Sequence, residues 1–206
     1  MKRILTAALA ACAATMTLAA CSSEPAKAPT LAKGNWTLDE GASRISYVTI
    51  KADEIAENND FKNLSGAVTA EGAATITIDL ASVETGVDIR NERMRDVLFN
   101  VAEFPSATVS AQLDRVAFAS LDVGESTLQT IDTIVTIKGV EKNFAAELDV
   151  TRLSDDRVLA VSIKPVLVNA GGFELTEGLA KLQELASLPS ITPVVPVTVS
   201  LEFQRK

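Results

Sequence analysis

The stretch PVVPVTVSLEFQ, Pro193 to Gln204, decides the fold because its side chains alternate between apolar and polar from Val195 onward. A period of two residues predicts a β-strand that buries one face and leaves the other in solvent. Pro196 falls on the polar face and near the start, where a strand tolerates proline best. The apolar face of this half-buried antiparallel strand consists of Val195, Val197, Val199, Leu201 and Phe203.

The same alternation recurs along the chain and predicts a set of about eight strands. Two hairpins are indicated, one turning near Gly139 and one at residues 154–156. Short connections favour an antiparallel meander, and a sheet of this size avoids open edges by closing into a barrel. The fold class is therefore predicted to be dominated by β-structure, as an antiparallel barrel of roughly eight strands within residues 36–206. The other strand-like stretches are SRISYVTIK (43–51), LSGAVTAEG (64–72), ATITIDL (74–80), ATVSAQLDRVAF (107–118) and NFAAELDV (143–150).

Two segments instead show helical periodicity. In LTEGLAKLQELASLPS, residues 175–190, a stripe of Leu175, Leu179, Leu182 and Ala186 predicts an amphipathic helix with Thr176 as its cap. The second segment, SVETGVDIRNERMRDVLFNVAEFPSA (82–107), links two strands and could be capped by Thr85 or Asp88. Its apolar stripe is formed by Met94, Val97, Leu98 and Val101.

Three arginines in the predicted helix of residues 82–107 occupy different positions on its surface. Arg95 lies opposite the apolar stripe and is expected to be solvated, whereas Arg93 lies on a flank and could face either way. Arg90 falls on the apolar face, where an unpaired charge is costly. Two interpretations of Arg90 stay open: a structural salt bridge, with Asp79 or Glu84 as partner, and a contact to a ligand head group at the barrel mouth.

The N-terminus has the organisation of a secretory signal, with two basic residues followed by an uncharged apolar run up to Cys21. Thr and small Ala residues make this run a poor permanent membrane span. Residues 18–21, LAAC, resemble the bacterial lipobox, which implies cleavage after residues 1–20 and a diacylglycerol on the sulfur of Cys21. An ordinary signal peptide with a chance cysteine is the alternative. Ser22 after the cysteine favours the periplasmic face of the outer membrane.

A tether and an acidic domain follow. Residues 21–35 are rich in Pro, Ala, Lys and Ser, and about 14 such residues span roughly 20 Å as a flexible linker. Removal of the signal leaves 17 basic and 27 acidic residues, a net charge of −10. Nucleic acid is therefore not an expected partner, and the lipid anchor rather than a basic patch must supply membrane affinity.

Catalytic chemistry is limited by composition. The chain has no histidine, and its two cysteines are Cys12, in the signal, and Cys21. Histidine-dependent triads and the usual zinc sites are therefore excluded, and we predict no catalytic residue, cofactor or metal site. An enzyme acting through carboxylates such as Glu92 or Asp96 is the weakest of the functional hypotheses.

The chain contains a series of motifs in a characteristic order, namely WTLD (36–39), SRISYV (43–48), DLASVET (79–85), IRNERM (89–94), LF (98–99), FP (104–105) and VTIKGVEK (135–142). Together these motifs resemble those of the YceI-like family. The resemblance implies a lipocalin-like barrel in the periplasm that binds a polyisoprenoid chain, such as a quinone or polyprenyl lipid. It also matches Arg90 to the family's arginine, but Asn91 and Arg93 replace the family's Asp and His, so no role of that pair can be transferred. The helix at residues 175–188 lies outside the commonest form of the family and could cap one barrel end.

These observations favour a hydrophobic container. An eight-stranded barrel is either filled by its own side chains or hollow enough for one small ligand, and small aliphatic strand residues leave room for an alkyl chain. The leading hypothesis is a lipid-anchored protein that binds, carries or sequesters a long isoprenoid or related amphiphile. The alternative is an envelope-stress or interaction protein with a filled barrel, and a dimer is left open. The expected ligand-binding residues are Arg90, Met94, Leu98, Phe99, Phe104, Val197, Val199 and Leu201.

Overall fold

The computed structural model describes residues 34–205, and antiparallel strands dominate this part of the chain. The predicted signal peptide, Cys21 and nearly all of the predicted tether lie outside the described residues. The strands are Trp36–Leu38 (β1), Arg44–Lys51 (β2), Ile55–Phe61 (β3), Leu64–Val68 (β4), Ala73–Asp79 (β5), Val83–Glu84 (β6), Ser106–Gln112 (β7), Ser126–Ile137 (β8), Val140–Arg152 (β9), Arg157–Ser162 (β10), Val166–Asn169 (β11) and Val194–Arg205 (β12).

These segments form a closed up-and-down barrel of eight long strands. Four of the long strands are interrupted by a short break: β1 continues as β2, β3 as β4, β5 as β6, and β10 as β11. Each long strand pairs with the next along the chain, and β12 returns to pair with both β1 and β2. The ladder that closes the barrel sets Leu38 opposite Phe203 and Tyr47 opposite Val197. The predicted antiparallel barrel is confirmed.

The β8–β9 hairpin turns through Lys138 and Gly139, both of which have positive φ angles of 50° and 78°. A two-residue turn of this kind matches the twist of the flanking strands, and glycine adopts it without steric cost. Ile137 and Val140 pair directly on either side of it. The predicted turn near Gly139 is confirmed, as is the second hairpin, which joins β9 to β10 through residues 153–156.

Both predicted helices are present, but their predicted caps are wrong. The first helix, α1 (Asp88–Arg93), continues as a π-helical turn, Met94–Phe99, and the second is α2 (Thr176–Leu185). The residues at the N-cap positions, Val87 and Leu175, make no side-chain capping hydrogen bond. Packing of an apolar face stabilises such short helices more than a cap does. Single 3₁₀ turns occur at Glu40–Ala42, Leu80–Ser82, Arg115–Phe118 and Ala170–Phe173.

Two strand assignments differ from the sequence expectation. Strand β3, IAENNDF, has four consecutive polar residues and was not predicted, yet all seven of its residues pair with β2. The strand predicted over 107–118 ends earlier, because β7 stops at Gln112 and a 3₁₀ turn capped by Asp114 follows. Long-range pairing thus overrides local propensity in β3.

Candidate ligand-binding cavity

The barrel encloses a cavity of about 670 Å³. It extends from Lys51 and Arg90, at the end covered by the helices, to Gly34 and Arg115 at the opposite end. The inward residues of the strands between them are mostly Val, Ile, Leu, Ala and Phe. Sites for small organic ligands typically measure roughly 300–1,000 Å³ and are mainly apolar, so the cavity is of a suitable size for one.

Seven of the eight expected ligand-binding residues line this cavity. They come from three elements, because the inward face of β12 and the apolar faces of α1 and the π-helical turn meet at the barrel interior. Phe104 is the exception: its half-buried ring lies outside the lining, and Nζ of Lys138 is 5.8 Å from its centroid. The seven are Arg90, Met94, Leu98, Phe99, Val197, Val199 and Leu201.

The π-helical turn alters which side chains face inward. Met94, Leu98 and Phe99 are buried, whereas Val97, which α-helical spacing placed on the stripe, is half-buried. The i→i+5 hydrogen bonding of a π-helix widens the turn and rotates the following residues. The turn ends at Asn100, which has a left-handed conformation with a φ angle of 52°. Phe99 therefore reaches the cavity, where its ring centroid lies 6.0 Å from that of Phe61.

Helix α2 covers one end of the cavity. Leu179 and Leu182 line the cavity from this helix, and Ala186 lines it from the C-cap position. The helix approaches the π-helical turn closely at Gly178, where an added Cβ would lie 2.9 Å from the carbonyl oxygen of Val97. Only glycine permits this contact without a shift in the backbone.

Arg93 fixes the other end of α2. Its Nη1 donates to the carbonyl oxygen of Leu185, the last residue of the helix, at 3.2 Å. A cation at a helix C-terminus also interacts favourably with the unpaired carbonyls. Arg93, which stands where the family has histidine, thus joins α1 to the cover of the cavity.

Arg90 is the centre of a polar network at the covered end. Its Nη1 lies 2.7 Å from Oε2 of Glu57, and the same carboxylate oxygen lies 2.6 Å from Nζ of Lys51. Its Nε donates to the hydroxyl of Thr85 at 2.8 Å, and its Nη2 donates to the Thr85 carbonyl at 2.5 Å. Arg90 thereby connects the start of α1 to strand β3 while its side chain lines the cavity.

The predicted partners of Arg90 were wrong, because both are used elsewhere. Asp79 accepts from the backbone NH of Ala81 at 2.9 Å and caps a 3₁₀ turn. Glu84 accepts from the amide of Asn91 at 3.1 Å and from the backbone NH of Gly86. The actual partner, Glu57, lies in the strand that the sequence did not predict.

Asn91 explains one departure from the family's motif. Its buried amide oxygen accepts from the backbone NH of Thr85 at 2.9 Å and from the Thr85 hydroxyl at 2.6 Å. Its Nδ2 meanwhile donates to Glu84. A carboxylate could accept the first two hydrogen bonds but could not donate the third, so Asn91 suits the neighbouring Glu84 better than an aspartate would.

The network also determines protonation states. Partial burial acts to raise the pKa of Glu57, but the hydrogen bond from Lys51 and the charge of Arg90 outweigh it, so the pKa lies below its ordinary value. Burial, partly opposed by the charge of Arg90, raises the pKa of Tyr47 above its ordinary value. At neutral pH Glu57 is therefore ionised, while Tyr47 is a neutral hydroxyl.

Within residues 34–205, the charged side chains that line the cavity are all cationic. Lys51, Arg90 and Arg93 lie at the covered end, and Arg115 lies at the other. Glu92 and Asp96, the carboxylates considered for catalysis, are exposed and do not line the cavity. The described residues contain no cluster of His, Cys, Asp and Glu suited to a metal ion, and none of their helices is long and apolar enough to span a bilayer.

Among the polar lining residues that sequence reasoning missed, three lie together toward the covered end. Thr49 and Tyr47 alternate inward along β2, and Asn59 faces the same side from β3. The available signal was the alternation of β2, which continues past Ile45 to Tyr47 and Thr49. Without the pairing of β3, however, nothing in the sequence placed Asn59 beside them.

Three solved structures resemble this barrel. A polyisoprenoid binding domain from Saccharophagus degradans, implicated in plant cell wall breakdown, is 37% identical with a TM-score of 0.82, covering 84% of this chain and 100% of that chain. BcnA of Burkholderia cenocepacia is 20% identical with a TM-score of 0.62, covering 80% and 98%. The YCEI protein of Campylobacter jejuni is 16% identical with a TM-score of 0.50, covering 72% and 84%. The last two likenesses concern the fold alone.

The family comparison covers almost the whole described domain. The YceI-like domain matches residues 36–203, from the first strand to the last. No curated protein matches at a significant level. The extent of the match, together with the barrel and the 37% identity to the Saccharophagus domain, agrees with the motifs in the sequence. The chain therefore belongs to the YceI-like family.

Proposed function

We propose that the protein binds the hydrocarbon chain of a long amphiphile, a polyisoprenoid or related lipid, inside the barrel and so carries or sequesters it. The observation that carries this proposal is the apolar cavity of about 670 Å³ that extends along the barrel. The Saccharophagus relative, described as a polyisoprenoid binding domain, supports the same ligand class.

The cavity has the length and lining for such a chain. Strand β12 has 12 residues, so it is about 40 Å long, and a tilt of roughly 40° gives a barrel about 30 Å high. Each buried CH₂ contributes about 0.8 kcal/mol, so a few isoprene units provide the main part of the affinity. Branched methyl groups suit a lining of Val, Ile and Leu because neither side presents polar atoms.

The polar head is best accommodated at the covered end. Tyr47, Thr49, Asn59 and Arg90 introduce hydrogen-bonding groups there, whereas apolar side chains predominate along the rest of the cavity. A buried polar head without such partners would lose its hydrogen bonds to water. We therefore place the chain along the barrel axis with its head toward α1 and α2.

The site of action belongs to the same proposal. The lipobox-like LAAC and the tether before the barrel support a lipidated Cys21 at the periplasmic face of the outer membrane. Lipidation would hold the barrel within about 20 Å of the bilayer, from which a hydrophobic ligand must come. We retain a dimer as a second assembly, to be checked by light scattering of the purified chain.

The two alternatives fit the geometry less well. A filled barrel would leave no space, and the cavity is of ligand size. An enzyme would need catalytic groups beside the bound chain, yet Glu92 and Asp96 face solvent outside the cavity. We therefore favour a binding protein over an enzyme.

Extraction of the purified protein tests the proposal. The full chain carrying Cys21→Ser, purified without detergent, should release a prenyl lipid into organic solvent, identified by mass spectrometry as species that differ by isoprene units. Val199→Trp, which fills the cavity, is the matched control and should release much less. If the wild-type barrel releases no lipid and an added C20 prenol does not raise its melting temperature, the proposal is wrong.

A further inference from the structure

The covered end of the cavity contains a hydrogen-bond acceptor without a donor. The β2–β3 ladder sets Tyr47 directly opposite Asn59, so both side chains point to the same face of the sheet, and both line the cavity. Asn59 is 2% exposed and Tyr47 is 7% exposed. Such buried polar groups are normally paired, so each needs an explanation.

The orientation of the Asn59 amide follows from its partners. Its Nδ2 donates to the hydroxyl of Thr49 at 3.0 Å and to the backbone carbonyl of Glu57 at 3.2 Å. A carbonyl oxygen can only accept, so the group facing Glu57 must be the NH₂ and not the oxygen. Oδ1 of Asn59 is consequently fixed on the other side, where no donor among residues 34–205 reaches it.

Tyr47 supplies the complementary group. Its hydroxyl points at Sδ of Met94 at 3.8 Å, and a thioether is a weak acceptor that a better one readily replaces. The phenol stays protonated at neutral pH because burial raises its pKa. Asn59 therefore presents an acceptor and Tyr47 presents a donor from adjacent strands, at the covered end of a mostly apolar cavity.

We infer that the Tyr47–Asn59 pair selects a ligand whose head carries an O–H group, that is, a prenyl alcohol or a prenylated phenol or hydroquinone. This inference rests on the proposed function. One hydroxyl satisfies both residues, because it donates to Oδ1 of Asn59 and accepts from the hydroxyl of Tyr47. An ether or a quinone carbonyl only accepts, so it leaves Asn59 without a donor, which is costly in a buried site. A fully ionised phosphate ester has the same defect.

A series of probes that share one chain tests the selection. The probes are geranylgeraniol, its methyl ether and its monophosphate, titrated into the full chain carrying Cys21→Ser by calorimetry. We expect the alcohol to bind about tenfold more tightly than the ether, which corresponds to one hydrogen bond of about 1.4 kcal/mol.

Variants assign the two halves of the contact. Asn59→Leu should bring the affinity for the alcohol down to that for the ether. Asn58→Leu, at the exposed neighbouring position of the same strand, should keep the tenfold ratio. Tyr47→Phe should weaken both probes together, because each accepts from the tyrosine, and it serves as the second test if Asn59→Leu does not fold.

Each outcome is decisive. Equal affinities of alcohol and ether for the unaltered pocket overturn the selection while leaving the lipid-binding function intact. Tightest binding of the monophosphate also overturns it, in favour of recognition by the cationic side chains. If no probe binds, the proposed function itself fails.

Discussion

Replacement of Arg90 tests whether the polar network holds the barrel together or holds the ligand. In Arg90→Met, the two hydrogen bonds to Thr85 are lost, at roughly 1 kcal/mol each. The ion pair with Glu57 adds at most about 1 kcal/mol, because both side chains are a quarter to a third exposed and Lys51 remains to pair with the carboxylate. We therefore expect a loss of about 2–3 kcal/mol.

The measurement is the thermal unfolding of the lipid-free domain. For a domain of this size the expected loss corresponds to a decrease in Tm of about 4–12 °C. Arg90→Lys keeps the charge but not the planar group that reaches both Glu57 and Thr85, so it should lose about 1 kcal/mol. Arg95→Met, at a half-exposed position on the π-helical turn, is the control and should change stability by less than about 0.5 kcal/mol.

The pH dependence gives an independent check. The pKa of Glu57 is lowered in the folded state, so its contribution to stability is present above its ordinary value of 4.5 and is lost as the pH falls through the lowered value. Arg90 is one cause of that shift. The difference in Tm between the wild type and Arg90→Met should therefore be largest near neutral pH and should shrink as the pH falls through the lowered pKa of Glu57. Unchanged melting together with lost lipid affinity would refute the structural role and make Arg90 a ligand contact.

Three further predictions concern the anchor, the cavity and the cover. Cys21→Ser should abolish lipidation and sedimentation with membranes, and continued fractionation with membranes would contradict the lipobox assignment. Val199→Trp should reduce the lipid recovered while moving Tm little, since the added volume enters a cavity; a large loss of stability would instead indicate a packed core. Gly178→Ala should destabilise the protein by about 1–3 kcal/mol, because the added Cβ would lie 2.9 Å from the Val97 carbonyl oxygen, even though alanine favours a helix more than glycine does. The control is Lys181→Ala on the exposed face of the same helix, which should not destabilise the protein in this way. A Gly178→Ala variant that is more stable than the wild type would refute the close contact.

The barrel was predictable because burial of one face imposes a period of two residues on a strand. Strand β12 shows this most clearly: Val197, Val199 and Leu201 face the cavity in the structure, as the alternation required. The sequence also identified Arg90 as a residue that needs a partner. Helical periodicity placed its charge on an apolar face, where an unpaired charge is costly. The π-helical turn could not be predicted, because α-helical spacing of apolar residues carries no signal for an extra residue in one turn. This turn buries Phe99 and leaves Val97 half-buried.

The partner of Arg90 and the acceptor Asn59 could not be found from the sequence, and the reason is the same for both. They lie in β3, where Glu57, Asn59 and Phe61 face inward and only the last of these is apolar. A strand with a polar inner face has no local pattern, so its existence depends on the seven-residue ladder that β2 offers. The polar inner face is unfavourable for folding unless its groups are paired, and it is paired where Lys51 and Arg90 meet Glu57. Oδ1 of Asn59 has no donor among the described residues, and it lies at the end of the cavity where a ligand head would bind. A buried acceptor without a partner lowers stability, and such unfavourable features are expected at binding sites, where a ligand can supply the missing group.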